Sequence, residues 1–70
     1  MIKVKIKEVL DKQDKSLYWL AQDSELSYPT IHNLASGKTE SINFKTLERI
    51  CLSLNVDIAD ILEIVPDTEL

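Results

Sequence analysis

Few residues in this sequence are equipped for covalent chemistry. His32 is the sole histidine and Cys51 the sole cysteine. A catalytic histidine needs a nucleophile at a workable spacing, and none stands at one here. One thiol forms neither an internal disulfide nor a zinc site. Cys51 also falls on an apolar stripe, the place of a core thiol and not of a nucleophile. The one glycine, Gly37, builds no phosphate-cradling loop. No catalysis, metal, cofactor or small-molecule ligand is expected, which leaves recognition by surface. Trp19 lies about 100° around its helix from Leu20 and shares its side with Asp23. It is expected to be exposed at least in part, either as a protein-contact anchor or as a cover for the edge of a small core. His32 is either a contact residue or a solvated one.

The elements that carry these residues must be short. The chain has 70 residues, of which 44% are apolar and 29% charged. That is a globular composition with room for one domain. No apolar run approaches the length of a membrane span, and Lys3, Lys5 and Lys7 interrupt any leader-like start, so a cytoplasmic protein is expected. Eight basic residues face twelve acidic ones, for a net charge of −4. Proteins that merely coat nucleic acid are normally basic; a selective reader tolerates acidity if its basic groups share one face. Lys3, Lys5, Lys7, Lys12 and Lys15 gather near one end. Asp57, Asp60, Glu63, Asp67 and Glu69 gather near the other. This polarity is either plain solvated surface or a means of ordering two subunits.

Ile2, Val4 and Ile6 alternate with lysines and suggest a short extended start, and a helix follows over about residues 5–13. Ser16 reads as the N-cap of a helix over 17–24, with Leu17, Leu20, Ala21 and Ser24 on one face. Ser27 caps the next helix, over 28–36, with Pro29 in its first turn and Ile31, Leu34 and Ala35 as its stripe. Gly37 supplies a left-handed stop. Asn43 caps a fourth helix whose stripe is Phe44, Leu47, Ile50, Cys51 and Leu54, and Asn55 closes it. Asp57 opens a last short helix with Ile58, Ile61 and Leu62. Ile64 and Val65 are placed to pair with the extended start. Five short helices without room for a real sheet predict a compact all-α bundle in a single domain, with its core over about 3–66 and a short acidic tail over 67–70.

The turn Ser24-Glu25-Leu26 between two short helices is the most informative feature. A helix-turn-helix needs a small residue where its helices touch, which Ala21 supplies. It also needs apolar inner faces, which Leu20, Leu26, Ile31 and Leu34 supply. With Leu20-Ala21, Leu26-Ser27-Tyr28, Thr30-Ile31, Leu34 and Gly37-Lys38, the chain resembles the Cro/CI-type (XRE) helix-turn-helix family and its lambda-repressor-like fold. Phe44, Thr46-Leu47, Ile50-Cys51, Leu54 and Asp60-Ile61-Leu62-Glu63 continue the pattern.

The resemblance implies a sequence-specific DNA-binding transcriptional regulator, usually dimeric. Chains of this size resemble regulators of phage or mobile-element genetic switches. The third helix would then enter the major groove of double-stranded operator DNA with Tyr28, Pro29, Thr30 and Asn33, flanked by His32. Phosphates would be met by Ser16, Ser27, Lys38, Asn43 and Lys45. By default the dimer surface falls on residues 58–70.

Three departures support a second expectation. Glu25 stands where the family usually has Gly. The third helix has no Arg or Lys before Lys38. Leu17-Tyr18-Trp19 replaces a commonly polar first turn. An antirepressor would use Leu17, Tyr18, Trp19 and Glu25 to dock on a partner repressor protein and block that protein's DNA-binding surface.

Overall fold

The computed structural model describes residues 1–66. A strand, β1 (Ile2–Val4), leads into α1 (Ile6–Lys12), α2 (Leu17–Ser24), α3 (Tyr28–Ala35) and α4 (Phe44–Leu54). A single turn, α5 (Ile58–Ile61), runs directly into β2 (Leu62–Ile64). Five helices thus make the bundle, as the sequence predicts, with α3 ending one residue before the expected Ser36.

Side chains that replace missing backbone partners set the helix starts. Ser16 Oγ accepts from the Trp19 N–H at 3.0 Å, Ser27 Oγ from Thr30 at 3.3 Å, and Asn43 Oδ1 from Thr46 at 2.7 Å. At α5 the Asp60 carboxylate reaches back to accept from the Asp57 N–H at 3.1 Å.

The first four helices all stop in the same way. Asp14, Glu25, Gly37 and Asn55 take positive φ, at 58°, 62°, 75° and 58°. The next residue then donates its N–H to a carbonyl five residues back. The pairs are Lys15 to Leu10, Leu26 to Ala21, Lys38 to Asn33 and Val56 to Cys51, at 2.9 to 3.0 Å. This left-handed stop satisfies carbonyls that a helix end otherwise strands. Gly37 and Asn55 fill it as expected; Asp14 was not anticipated there.

Every helix sends at least one side chain into the core. Ile6, Leu20, Ile31, Ile50, Leu54 and Ile61 are almost fully buried. Each such burial stabilises by about 1.5–3 kcal/mol relative to exposure. Ala21 is buried where the smallness of the contact demands it, and Ser24 beside it is also buried. Ser24 Oγ donates to the Leu20 carbonyl at 2.6 Å, so its polarity is satisfied within α2.

Phe44 departs from the predicted stripe: it is 87% exposed. It is the first residue of α4, and a helical side chain leans over the turn before its own Cα. Phe44 has no preceding turn to lean on. Ile42, just before the Asn43 cap, packs on the core instead. Ile42 and the buried Leu47 hold the two positions of a hydrophobic staple.

The sheet has two strands of three residues each. They run antiparallel, with Ile2 opposite Ile64, Lys3 opposite Glu63 and Val4 opposite Leu62. Pairing begins two residues earlier than expected, and Val65 adds a bond from its N–H to the Met1 carbonyl at 2.9 Å. This brings Met1 and Val65 together. The two charged groups of the sequence therefore meet at one point, where Lys5 lies 3.9 Å from Glu63. The expected dimer surface includes residues 67–70, which lie outside the described residues, as do Asp67 and Glu69.

Candidate nucleic-acid interface

The left-handed stop at Glu25 turns the chain so that α3 crosses α2 and presents its outer side. Tyr28, Pro29, Thr30 and Asn33 are exposed there, while Ile31 and Leu34 face inward. The two helices are also joined outside the core. The Tyr18 ring of α2 stacks on the Tyr28 ring of α3, with centroids 4.8 Å apart and planes at 27°. His32 continues the row at 5.8 Å from Tyr28. Aromatic pairs at such distances add about 0.5–1.5 kcal/mol beyond burial. The stack fixes where the Tyr28 ring stands.

Thr30 is oriented as well. Ser27 Oγ donates to Thr30 Oγ1 at 2.8 Å. An accepting hydroxyl keeps its own hydrogen free to donate outward. Thr30 and Asn33 border an open cleft of about 410 Å³ whose other wall is Asn43 and Thr46 of the α4 start. Thr39 and Ser41 also line it. Exposed Lys45 follows Asn43 by two residues, and Lys38 follows Gly37 at the far end of α3. Neutral hydroxyls and amides therefore converge on one cleft, together with the apolar Leu34 and Ile42.

The remaining candidates are elsewhere. Ser16 borders a separate hollow with Lys7, Asp11 and Lys15. Glu25 shares a hollow with Asp23, Arg49 and Leu52, on the α4 side of the turn. Leu17 and Trp19 are half-buried against the core. The Lys15 ammonium sits 4.0 Å from the Trp19 ring centroid, covering it with a cation–π contact. Of the apolar residues Leu17, Tyr18 and Trp19, Tyr18 is the most exposed, at 67%, and it stacks on Tyr28. The two sets of residues meet at that stack alone, through Tyr18 and Tyr28.

Thr39, Ser41 and Thr46 were missed in the sequence. Their signal was a pair of hydroxyl residues, Thr39 and Ser41, ahead of the Asn43 cap and a third, Thr46, three residues after it. Cys51 is buried, and its thiol is pushed above the ordinary 9.0, first by burial and then by Asp57 and Asp60. That is the opposite of an activated nucleophile. Among the described residues no cluster of His, Cys, Asp or Glu is arranged to hold a metal ion. None of their helices is long and apolar enough to cross a membrane.

A two-layer helical core with an exposed second helix of a helix-turn-helix defines a class of DNA-binding domain. The chain belongs to the Cro/C1-type HTH DNA-binding domain family, whose model matches residues 5–67. It is similar to the crystal structure of a provisionally assigned DNA-binding protein from Bacteroides fragilis. That likeness has a TM-score of 0.77 and 28% identity, over 90% of this chain and 100% of the other. No curated protein sequence matches the chain.

Proposed function

We propose that this chain is a sequence-specific regulator of transcription that occupies an operator with the outer face of α3. Tyr28, Pro29, Thr30 and Asn33 read base edges, with His32 flanking them 5.8 Å from the Tyr28 ring. Ser27, Lys38, Asn43 and Lys45 take phosphates around the cleft, and Ser16 takes one at the start of α2. One observation carries the reading. Asn33 has no hydrogen-bonding partner for its carboxamide among the described residues, and it stands beside an outward-donating Thr30 on the exposed side of α3. Hydrated groups of this kind exchange water for base edges without breaking a hydrogen bond of the fold.

The chemistry is binding and not catalysis, in the cytoplasm where the operator lies. A palindromic operator would engage two copies. The fitting genetic setting is a phage or mobile-element switch, because no sensor pocket is needed when concentration itself is the signal.

Fluorescence anisotropy with the duplex flanking the protein's own gene tests this, scanned across salt. The log–log slope should be about −0.9 per phosphate contacted. Absence of binding even at low salt would refute it.

A second reading, the antirepressor, is favoured by the net charge of −4 and the exposed Glu25. An acidic protein can cover a repressor's basic DNA-binding face. Here Glu25→Gln should weaken capture of a repressor encoded nearby. Under the operator reading the same change leaves DNA affinity equal or higher.

A further inference from the structure

We infer that the α3 face selects A·T over G·C pairs in the major groove, and does so largely through thymine methyl groups. This rests on the operator-binding reading above and specifies its ligand.

The commonest reader of guanine is Arg or Lys, paired with O6 and N7. Arg49 is the chain's single arginine. It lies in the hollow with Asp23 and Glu25, off the α3 face. No lysine occurs between Tyr28 and Ala35. Lys38 follows the helix, whereas base edges are read from the N-terminal end of a recognition helix. The face is thus short of the donor pairs that guanine asks for.

What it does offer matches adenine and thymine. The Asn33 carboxamide carries the donor and acceptor needed for adenine N7 and N6. The Thr30 hydroxyl, already accepting from Ser27, has a hydrogen that thymine O4 or guanine O6 accepts equally, so it adds affinity and leaves the choice of base to Asn33 and the apolar surfaces. The rings of Tyr28 and Pro29 are apolar surfaces at the leading end of α3, and a thymine methyl is the apolar group in that groove. Tyr28 cannot swing away freely, because Tyr18 is stacked on it at 4.8 Å. A fixed apolar surface gains from a methyl without first losing side-chain freedom. The net charge of −4 points the same way. With few lysines at the cleft, phosphate attraction is modest, and base contacts must carry more of the affinity.

The test is selection from a randomised duplex library with the whole chain, followed by anisotropy on the selected duplex. Selected sites should be rich in A·T at the positions whose preference Asn33→Ala flattens. Replacing each thymine there by uracil removes only the methyl and should weaken binding about fourfold per methyl in contact. Asn33→Ala should cost about tenfold or more. A swap of A·T for inosine·cytosine separates the grooves. That pair keeps the minor-groove edge of A·T and carries the major-groove edge of G·C. Binding should fall with it. Full binding to inosine·cytosine or uracil duplexes overturns the inference while leaving operator binding intact. So do selected sites with G·C at the Asn33-dependent positions. Failure to enrich any duplex overturns the operator reading, and the inference with it.

Discussion

The turn from α2 to α3 and the turn from α4 to α5 are built on one plan. Each passes through a left-handed residue, Glu25 at φ 62° and Asn55 at φ 58°. Each then makes the same backbone bond, Leu26 to Ala21 and Val56 to Cys51, both at 3.0 Å. A half-buried apolar residue follows, Leu26 or Val56, then a cap, Ser27 or Asp57. Four residues past each cap comes a fully buried isoleucine, Ile31 or Ile61. The differences lie in what the turns serve. Asn tolerates the left-handed region through its short polar side chain, whereas Glu has no such excuse. The α4 end is also tied to α1, because Gln13 Nε2 donates to the Leu54 carbonyl at 2.8 Å. At the α2 end the corresponding side-chain bond is internal, from Ser24 Oγ to the Leu20 carbonyl. After the turns, α3 keeps eight residues with an exposed face, whereas α5 keeps four and hands the chain to β2. The same reversal therefore closes the molecule at one place and presents an exposed helix face at the other, where the backbone is less favourably filled.

The largest expected effects come from the paired isoleucines. Ile31→Ala and Ile61→Ala should each cost about 2–5 kcal/mol in urea unfolding. A loss under about 1 kcal/mol for Ile61→Ala would break the parallel, showing that α5 is not part of the cooperative core. Next, Gln13→Ala leaves the Leu54 carbonyl without its side-chain partner and should cost about 1–2 kcal/mol. DNA affinity should hold, since Gln13 lies off the α3 face.

The left-handed residues then separate the turns directly. Glu25→Gly should stabilise by about 1 kcal/mol, and Asn55→Gly by no more than roughly a few tenths. Equal gains at both sites would mean that Glu25 is not strained.

The smallest effect is the thiol's. The Cys51 pKa is raised in the folded protein by burial, then by Asp57 and Asp60. The unfolded chain therefore loses this proton first as pH rises. The stabilisation is complete below the ordinary value of 9.0 and is lost as pH climbs through the raised folded value. Alkylation at pH 8 should be slow in the native protein and fast in denaturant. Rapid native labelling would show that the α4 end opens readily.

The same two turns show what a sequence can disclose. Ser16, Ser27 and Asn43 stand out because a cap is a local event, decided by one side chain and an N–H three residues on. Helix periods likewise exposed Leu20, Ile31, Ile50 and Leu54. Phe44 misled because period alone does not say where a helix begins relative to its neighbour, and Ile42 had taken the buried place. The Tyr18–Tyr28 stack was hidden for another reason. The residues are ten apart, and only the crossing angle set at Glu25 brings the rings together. Placement of Trp19 required seeing Lys15 fold back over its ring, which no spacing rule supplies. Family likeness was legible nearly from end to end. The cleft residues Thr39, Ser41 and Thr46 were not, because they sit on a connection and on a helix start that carry no apolar period.

The most direct measurement is an NMR titration of labelled protein with a bound duplex, following backbone amides. The largest shifts should fall on Tyr28, Thr30, His32 and Asn33, with a second group at Ser16, Ser27, Asn43 and Lys45. Amides of α5 and β2 should stay nearly still. Shifts centred on residues 58–64, with α3 unmoved, would contradict DNA reading by the face that the Glu25 turn presents.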